Sequence, residues 1–84
     1  GDHVFEPDYE LPSLDEVESY IKKHKRLPGV QSAKEIQKKG VGVAEMMTKQ
    51  QIKIEELTLY VIELKQQNDA LTKRLEALEA RSAK

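Results

Sequence analysis

His3 and His24 are the side chains of this sequence best suited to moving a proton or holding a metal. A catalytic histidine needs a nucleophile or a carboxylate held within reach. Asp2 and Asp8 flank His3, but in a segment expected to be mobile, so both histidines read as surface residues. Gly1-Asp2-His3 carries the donors for square-planar copper or nickel if its amine is free. Gly1 ahead of a natural-looking segment also fits the remnant of a cleaved tag, with a parent chain expected to extend N-terminally. Lys22-Lys23-His24-Lys25-Arg26 is a basic cluster able to touch phosphate. No aromatic platform accompanies it, and Glu16 and Glu18 lie one or two turns upstream, so a solvated helix end is expected. Met46 and Met47 read as packing residues, and Gly40 and Gly42 bracket a hinge rather than a phosphate loop. The chain has no cysteine, which removes disulfides and thiolate metal sites. The expectation is a protein that is not an enzyme, with no catalytic residue, no cofactor and no metal.

The chemistry this chain does carry is apolar and periodic. Val43, Met47, Gln50, Ile54, Leu57, Val61, Leu64, Asn68, Leu71, Leu75 and Leu78 fall at spacings that alternate four and three. This is the a/d seam of a coiled coil, with Met47, Ile54, Val61, Asn68 and Leu75 at a and the others at d. One straight helix cannot bury such a seam in itself, so the seam implies further copies of the chain.

Bulk properties agree. Eighty-four residues make one small domain at most, and a chain this short buries little apolar surface alone. Ala, Glu, Lys, Leu and Arg make up nearly half of it, as in long helices and coiled coils. The net charge is −1, from 14 basic and 15 acidic side chains. No strong field therefore draws the chain to nucleic acid or anionic lipid. The longest wholly apolar run, Leu59-Tyr60-Val61-Ile62, is far too short to span a bilayer, and no signal peptide is visible. Neither nucleic acid nor membrane insertion is expected.

Two parts are expected: an N-terminal cap over 1–42 and a long coiled-coil helix over 43–84. Pro7 and Pro12 disfavour helix at the start. Phe5, Tyr9 and Leu11 stand at even spacing, which fits an extended strap with one apolar side. Ser13-Leu14-Asp15-Glu16 reads as a capped helix start, and Leu14, Val17 and Ile21 then share a face beside Tyr20. Leu27-Pro28-Gly29 is expected to stop that helix. Ser32-Ala33-Lys34-Glu35 starts a second short helix to about Lys39, with Gly40 as its left-handed cap and Val41-Gly42 as the hinge.

The first half of the long helix carries a second apolar stripe, Ile52, Leu59 and Ile62, at outer heptad positions. After Leu64 only a and d stay apolar. Two kinds of burial explain this: the seam against other copies, and the outer stripe under a folded-back N-terminal segment that brings Phe5, Tyr9, Leu14, Val17 and Ile21. Tyr60, at g, covers the flank of the seam.

Gln50 at d and Asn68 at a interrupt the seam. Such layers cost stability but can fix register and copy number, because a slipped register strands an amide among leucines; simple tolerance of a polar residue is the alternative. Ile54 and Val61 at a, with leucines at d, lean toward two strands, while Leu75 at a and Gln50 at d weaken that lean. Arg74 and Glu79 sit at g and the following e, where they can pair between strands. Periodicity leaves dimer against trimer open.

The run Val4-Phe5-Glu6-Pro7-Asp8-Tyr9-Glu10-Leu11, followed by Ser13-Leu14-Asp15-Glu16-Val17-Glu18, then Leu27-Pro28-Gly29-Val30-Gln31-Ser32-Ala33-Lys34-Glu35 and Lys53-Ile54-Glu55-Glu56-Leu57-Thr58-Leu59-Tyr60, resembles a C-terminal domain of phage tail-fibre-like and bacterial surface proteins. It is similar to the terminal part of the endosialidase-type intramolecular chaperones, and the likeness covers nearly the whole chain. The resemblance implies an all-α, parallel homotrimeric coiled coil with a short folded-back N-terminal helical cap. Such a trimer would align three fibre chains on a virion tail or bacterial cell surface, with the upstream fibre or surface domains of the parent chain as its other partners. Family members with the full chaperone domain cleave themselves at a serine in an upstream Ser-Asp followed by basic residues. Ser13, Ser19, Ser32 and Ser82 all lie in other contexts, so self-cleavage is not implied here. The expected function is thus oligomerisation and chain registration. A dimeric or heteromeric coiled-coil interaction module is the alternative, and a fragment of a self-processing peptidase or chaperone the more distant one.

Overall fold

The structure is a computed structural model and describes residues 2–40 and 42–83. Gly1, and with it the amino-terminal chelate, lies outside the described residues, as does Val41 of the expected hinge. About three-quarters of the chain is helical, with no strand among the described residues. A 3₁₀ turn spans Asp2–Phe5, followed by α1 (Leu14–His24), α2 (Ala33–Lys39) and α3 (Val43–Ser82).

The helix boundaries follow local chemistry. Ser13 stands in extended conformation ahead of α1, and its Oγ accepts the Glu16 N–H at 3.1 Å. Ser32 does the same for Glu35 at 3.2 Å, and its hydroxyl also donates to the Glu35 carboxylate. Each serine satisfies one of the orphan amides of a helical first turn. α1 ends one residue before Lys25, which takes the left-handed conformation (φ 57°) and donates its N–H to the Ile21 carbonyl at 2.8 Å. The stop therefore precedes Leu27-Pro28-Gly29, which instead makes a turn closed by the Val30 N–H on the Leu27 carbonyl. Gly29 supplies the positive φ of 77° that a type II turn requires after its proline. Gly40 also has positive φ, 64°, where α2 ends on the Ile36 carbonyl.

α3 runs for 40 residues, or about 60 Å at 1.5 Å per residue, and it sets the 67 Å long axis of the molecule. The preceding segments lie along its first half. The Tyr60 hydroxyl donates to the Pro12 carbonyl at 2.7 Å, and the Tyr9 hydroxyl donates to the Glu56 carboxylate at 2.5 Å. Gly29 sits beside Lys53. α1 starts near Tyr60 and its C-terminal turn lies near Lys53, so it runs against the direction of α3. Val30, Ile36 and Met46 line a small recess where α2 meets the start of α3.

The N-terminal strap differs from expectation at its first turn. Residues 2–5 are helical rather than extended, so the alternating pattern that selects Phe5 does not apply. A 3₁₀ turn repeats every three residues, and the side chain it turns inward is Val4, 1% exposed, while Phe5 is 55% exposed. Among the described residues Val4 and Tyr60 are the buried apolar side chains. That is too little for a conventional single-chain core.

The left-handed Lys25 carries a steric cost of about 1 kcal/mol that glycine would not. Lys25→Gly is expected to raise the stability of the N-terminal region by up to about 1 kcal/mol in urea unfolding. A loss of stability would show that the lysine side chain, rather than the backbone, governs this helix end.

Candidate functional site

α3 has two faces in very different surroundings. On the outer face, at positions f, b, c and g, Ile52, Lys53 and Leu59 are half-buried, and Glu55, Glu56 and Tyr60 are buried. The seam face is open. Val43, Met47, Gln50, Ile54, Leu57, Val61, Leu64, Asn68, Leu71, Leu75 and Leu78 are all exposed, the apolar ones between 51% (Leu64) and 72% (Val43). From Val61 to Ala83 every residue is exposed. Thus the eleven seam residues share one uncovered ridge along the full helix, interrupted by the Gln50 and Asn68 amides.

Energy favours covering this ridge. Full burial of a Leu, Ile, Val or Met side chain is worth about 1.5–3 kcal/mol. The ridge side chains already lose part of their surface to their own helix, so covering it would contribute on the order of 10 kcal/mol per chain before the entropy of association is subtracted. The surface ion pairs of α3 are minor beside that. Lys65–Asp69 at 2.7 Å and Lys49–Glu45 at 3.5 Å are open to water, where such pairs are worth at most about 1 kcal/mol.

The covered face is organised around Glu56. One carboxylate oxygen accepts the Tyr9 hydroxyl at 2.5 Å, and the other accepts the Lys53 ammonium at 2.8 Å. The hydrogen bond to this anion, with burial and the further charges of Glu56 and Glu55, pushes the Tyr9 phenol up to about 12. Tyr60 is also raised, by burial first and then by Glu56, Glu63 and Glu16. Next to this node Gln51 donates to Glu55 Oε2 at 3.2 Å, while the buried Glu55 Oε1 meets no donor among the described residues. Sequence reasoning missed Val4, Glu55, Glu56 and Lys53. The available signals were the Lys53–Glu56 spacing of three on a helix and two tyrosines, Tyr9 and Tyr60, whose hydroxyls need partners when covered.

The expected cap residues divide. Tyr9 and Val17 are half-buried, as are Ile52 and Leu59 on α3. Leu14, Ile21 and Ile62 remain 40%, 38% and 46% exposed, and Phe5 faces away. The chain's own fold therefore covers the outer stripe as far as Leu59 and leaves Ile62 open.

The other chemistry-bearing residues are placed apart. The His3 ring meets Tyr9 edge-on at 5.6 Å and the His24 ring lies 4.3 Å from Tyr20, so each has an aromatic neighbour. Arg26 is occupied: its Nε donates to the Val30 carbonyl at 3.0 Å, and its guanidinium lies over the Tyr20 ring and near Glu35. Lys22 pairs loosely with Glu18. Among the described residues no group of three or more metal-ligating side chains converges, and no helix is long and apolar enough to cross a membrane. Comparison with family models, with curated proteins and with solved structures finds no match.

The Tyr9 phenol holds its proton more tightly in the folded chain, about 12 against an ordinary 10.0. The stabilisation linked to it is fully present below pH 10 and is lost as pH rises from there through about 12, because the unfolded chain releases the proton first. Tyr9→Phe is expected to flatten the alkaline loss of stability over that window, measured by chemical unfolding at stepped pH. Identical alkaline slopes in both proteins would show that the Tyr9–Glu56 bond does not persist in solution.

Proposed function

We propose that this chain is an oligomerisation and chain-registration module: a parallel homotrimeric coiled coil with an N-terminal cap folded onto the outer face of each long helix. The carrying observation is the ridge. Eleven residues in a/d spacing stand exposed along one face of α3, while the chain's own N-terminal segment is spent on the opposite face. A second and third α3 would cover that ridge by knobs-into-holes packing.

Registration is the role of the polar layers. Aligned copies bring Gln50 to Gln50 and Asn68 to Asn68, where amides can hydrogen-bond to one another. A slip of one heptad buries each amide against Leu or Val without a partner. The resemblance of the Leu27–Glu35 and Lys53–Tyr60 segments to the ends of tail-fibre-like and surface proteins supports three copies and a place at the C-terminal end of a fibrous phage-tail-like or cell-surface protein. The β-branched Ile54 and Val61 at a, with Leu57, Leu64 and Leu71 at d, favour a dimer instead. Copy number is therefore the quantity that separates the two readings.

Leu57→Asp is expected to abolish the oligomer, because it gathers several carboxylates around one axis without counter-ions. Light scattering behind gel filtration reads this directly. A variant that stays assembled at micromolar concentration would refute the seam. Asn68→Ile is expected to raise the melting temperature while broadening the distribution of copy number in native mass spectra. A lower melting temperature at unchanged mass would contradict the register-setting role.

A further inference from the structure

Outside the seam, and besides Phe5 in the N-terminal turn, the described residues leave apolar surface exposed on both flanks of α3. On one flank lies a groove of about 160 Å³ between α1 and α3. Its α1 wall is Leu14, Val17 and Ile21. Its α3 wall is Leu57, Lys53, Glu56 and Tyr60, which occupy d, g and c. On the other flank stands Ile62 at b, 46% exposed. Looking down a helix, g and c follow d on one side of the seam, and e and b follow a on the other. In a parallel coiled coil the g side of each chain faces the e side of its neighbour.

We infer that the groove is a docking site for a second copy of this chain, and that its occupant is the e/b flank of the neighbour's α3, centred on Ile62. The inference rests on the parallel coiled coil proposed above and adds an interface that the seam does not contain. Three observations carry it. The groove is continuous with the seam, because Leu57 belongs to both. The heights agree: α1 begins beside Tyr60, whose hydroxyl holds the Pro12 carbonyl, Leu14 lines the groove with Leu57 and Tyr60, and Ile62 follows Tyr60 by two residues on α3. The leftover surfaces match in kind: Leu14 and Ile21 are about 40% exposed beside a mostly apolar groove, and Ile62 is an isolated apolar side chain opposite it. α1 would then clamp two helices at once, its own through Tyr60 and the neighbour's through Ile62. An antiparallel coil does not allow this, because there g meets g and e meets e.

The chain has no cysteine, which makes the contact easy to test. Two full chains of different tagged mass, one Leu14→Cys and one Ile62→Cys, are refolded together and treated with a short bismaleimide. The expected product is a covalent pair with the summed mass of the two chains, in large excess over either homodimer. Oligomers that persist in sedimentation without this mixed product overturn the docking site and leave the seam standing; monomers in sedimentation overturn both. In a second measurement Ile62→Asp is expected to raise the dissociation constant of the oligomer at least tenfold, although residue 62 lies outside the seam. An unchanged dissociation constant would show that Ile62 faces water in the assembly.

Discussion

A single helix with apolar side chains on two opposite faces cannot be satisfied by one short tether, and this constraint governs the whole molecule. α3 has 40 residues, and the described residues before it are about as many. They reach only its first half and mainly its outer side, where Val4, Tyr9 and Tyr60 are covered. The seam side is touched by its own chain only at its edge, at Leu57 beside α1 and Gln50 beside α2, and both stay exposed. A monomer in water would leave nine large apolar side chains exposed in register over most of the molecule's length, beside two buried apolar residues among those described. The assembly proposed above would move most of the burial to contacts between chains.

The attachment of the N-terminal segment is polar as well as apolar, and that has a consequence for specificity. The Glu56 carboxylate is buried between a phenol and an ammonium. Removing either partner strands a charge that solvation no longer compensates. Such a node tolerates one arrangement and penalises others, so it fixes where Tyr9 lies along α3 in a way that Val4 alone cannot. The Tyr60 hydroxyl does the same for Pro12 and hence for the start of α1. Two directional bonds, 47 and 48 residues apart in sequence, thus set the position of a helix whose apolar contacts alone would let it slide. That positioning places the α1 groove beside Leu57, on the edge of the seam, where an interface between copies can extend beyond the a and d positions.

Much of the fold was legible in the residues. The capping serines Ser13 and Ser32, the turn at Leu27-Pro28-Gly29, the start of α3 at Val43 and the common face of the a and d residues follow from local rules and a seven-residue period, which act over short range and leave direct marks. The first turn was not legible. Val4 and Phe5 are adjacent and both apolar, and the choice between them depends on whether the backbone there repeats every two residues or every three. The end of α1 at Lys25 rather than Leu27 was hidden too, because a lysine in the left-handed conformation has no sequence signature comparable to glycine. Nor did charge pattern reveal the Glu56 node: Lys53 and Glu56 resemble any solvated helical pair until Tyr9 arrives from the other end of the chain.

Copy number is the quantity on which all of this converges. Sedimentation equilibrium of the unmodified chain, at concentrations on the order of tens of micromolar, measures it without any variant. The proposed parallel homotrimer gives a single species of three chain masses. A species of one chain mass at those concentrations would mean that the seam of α3 faces water, and would contradict the proposed assembly at its root.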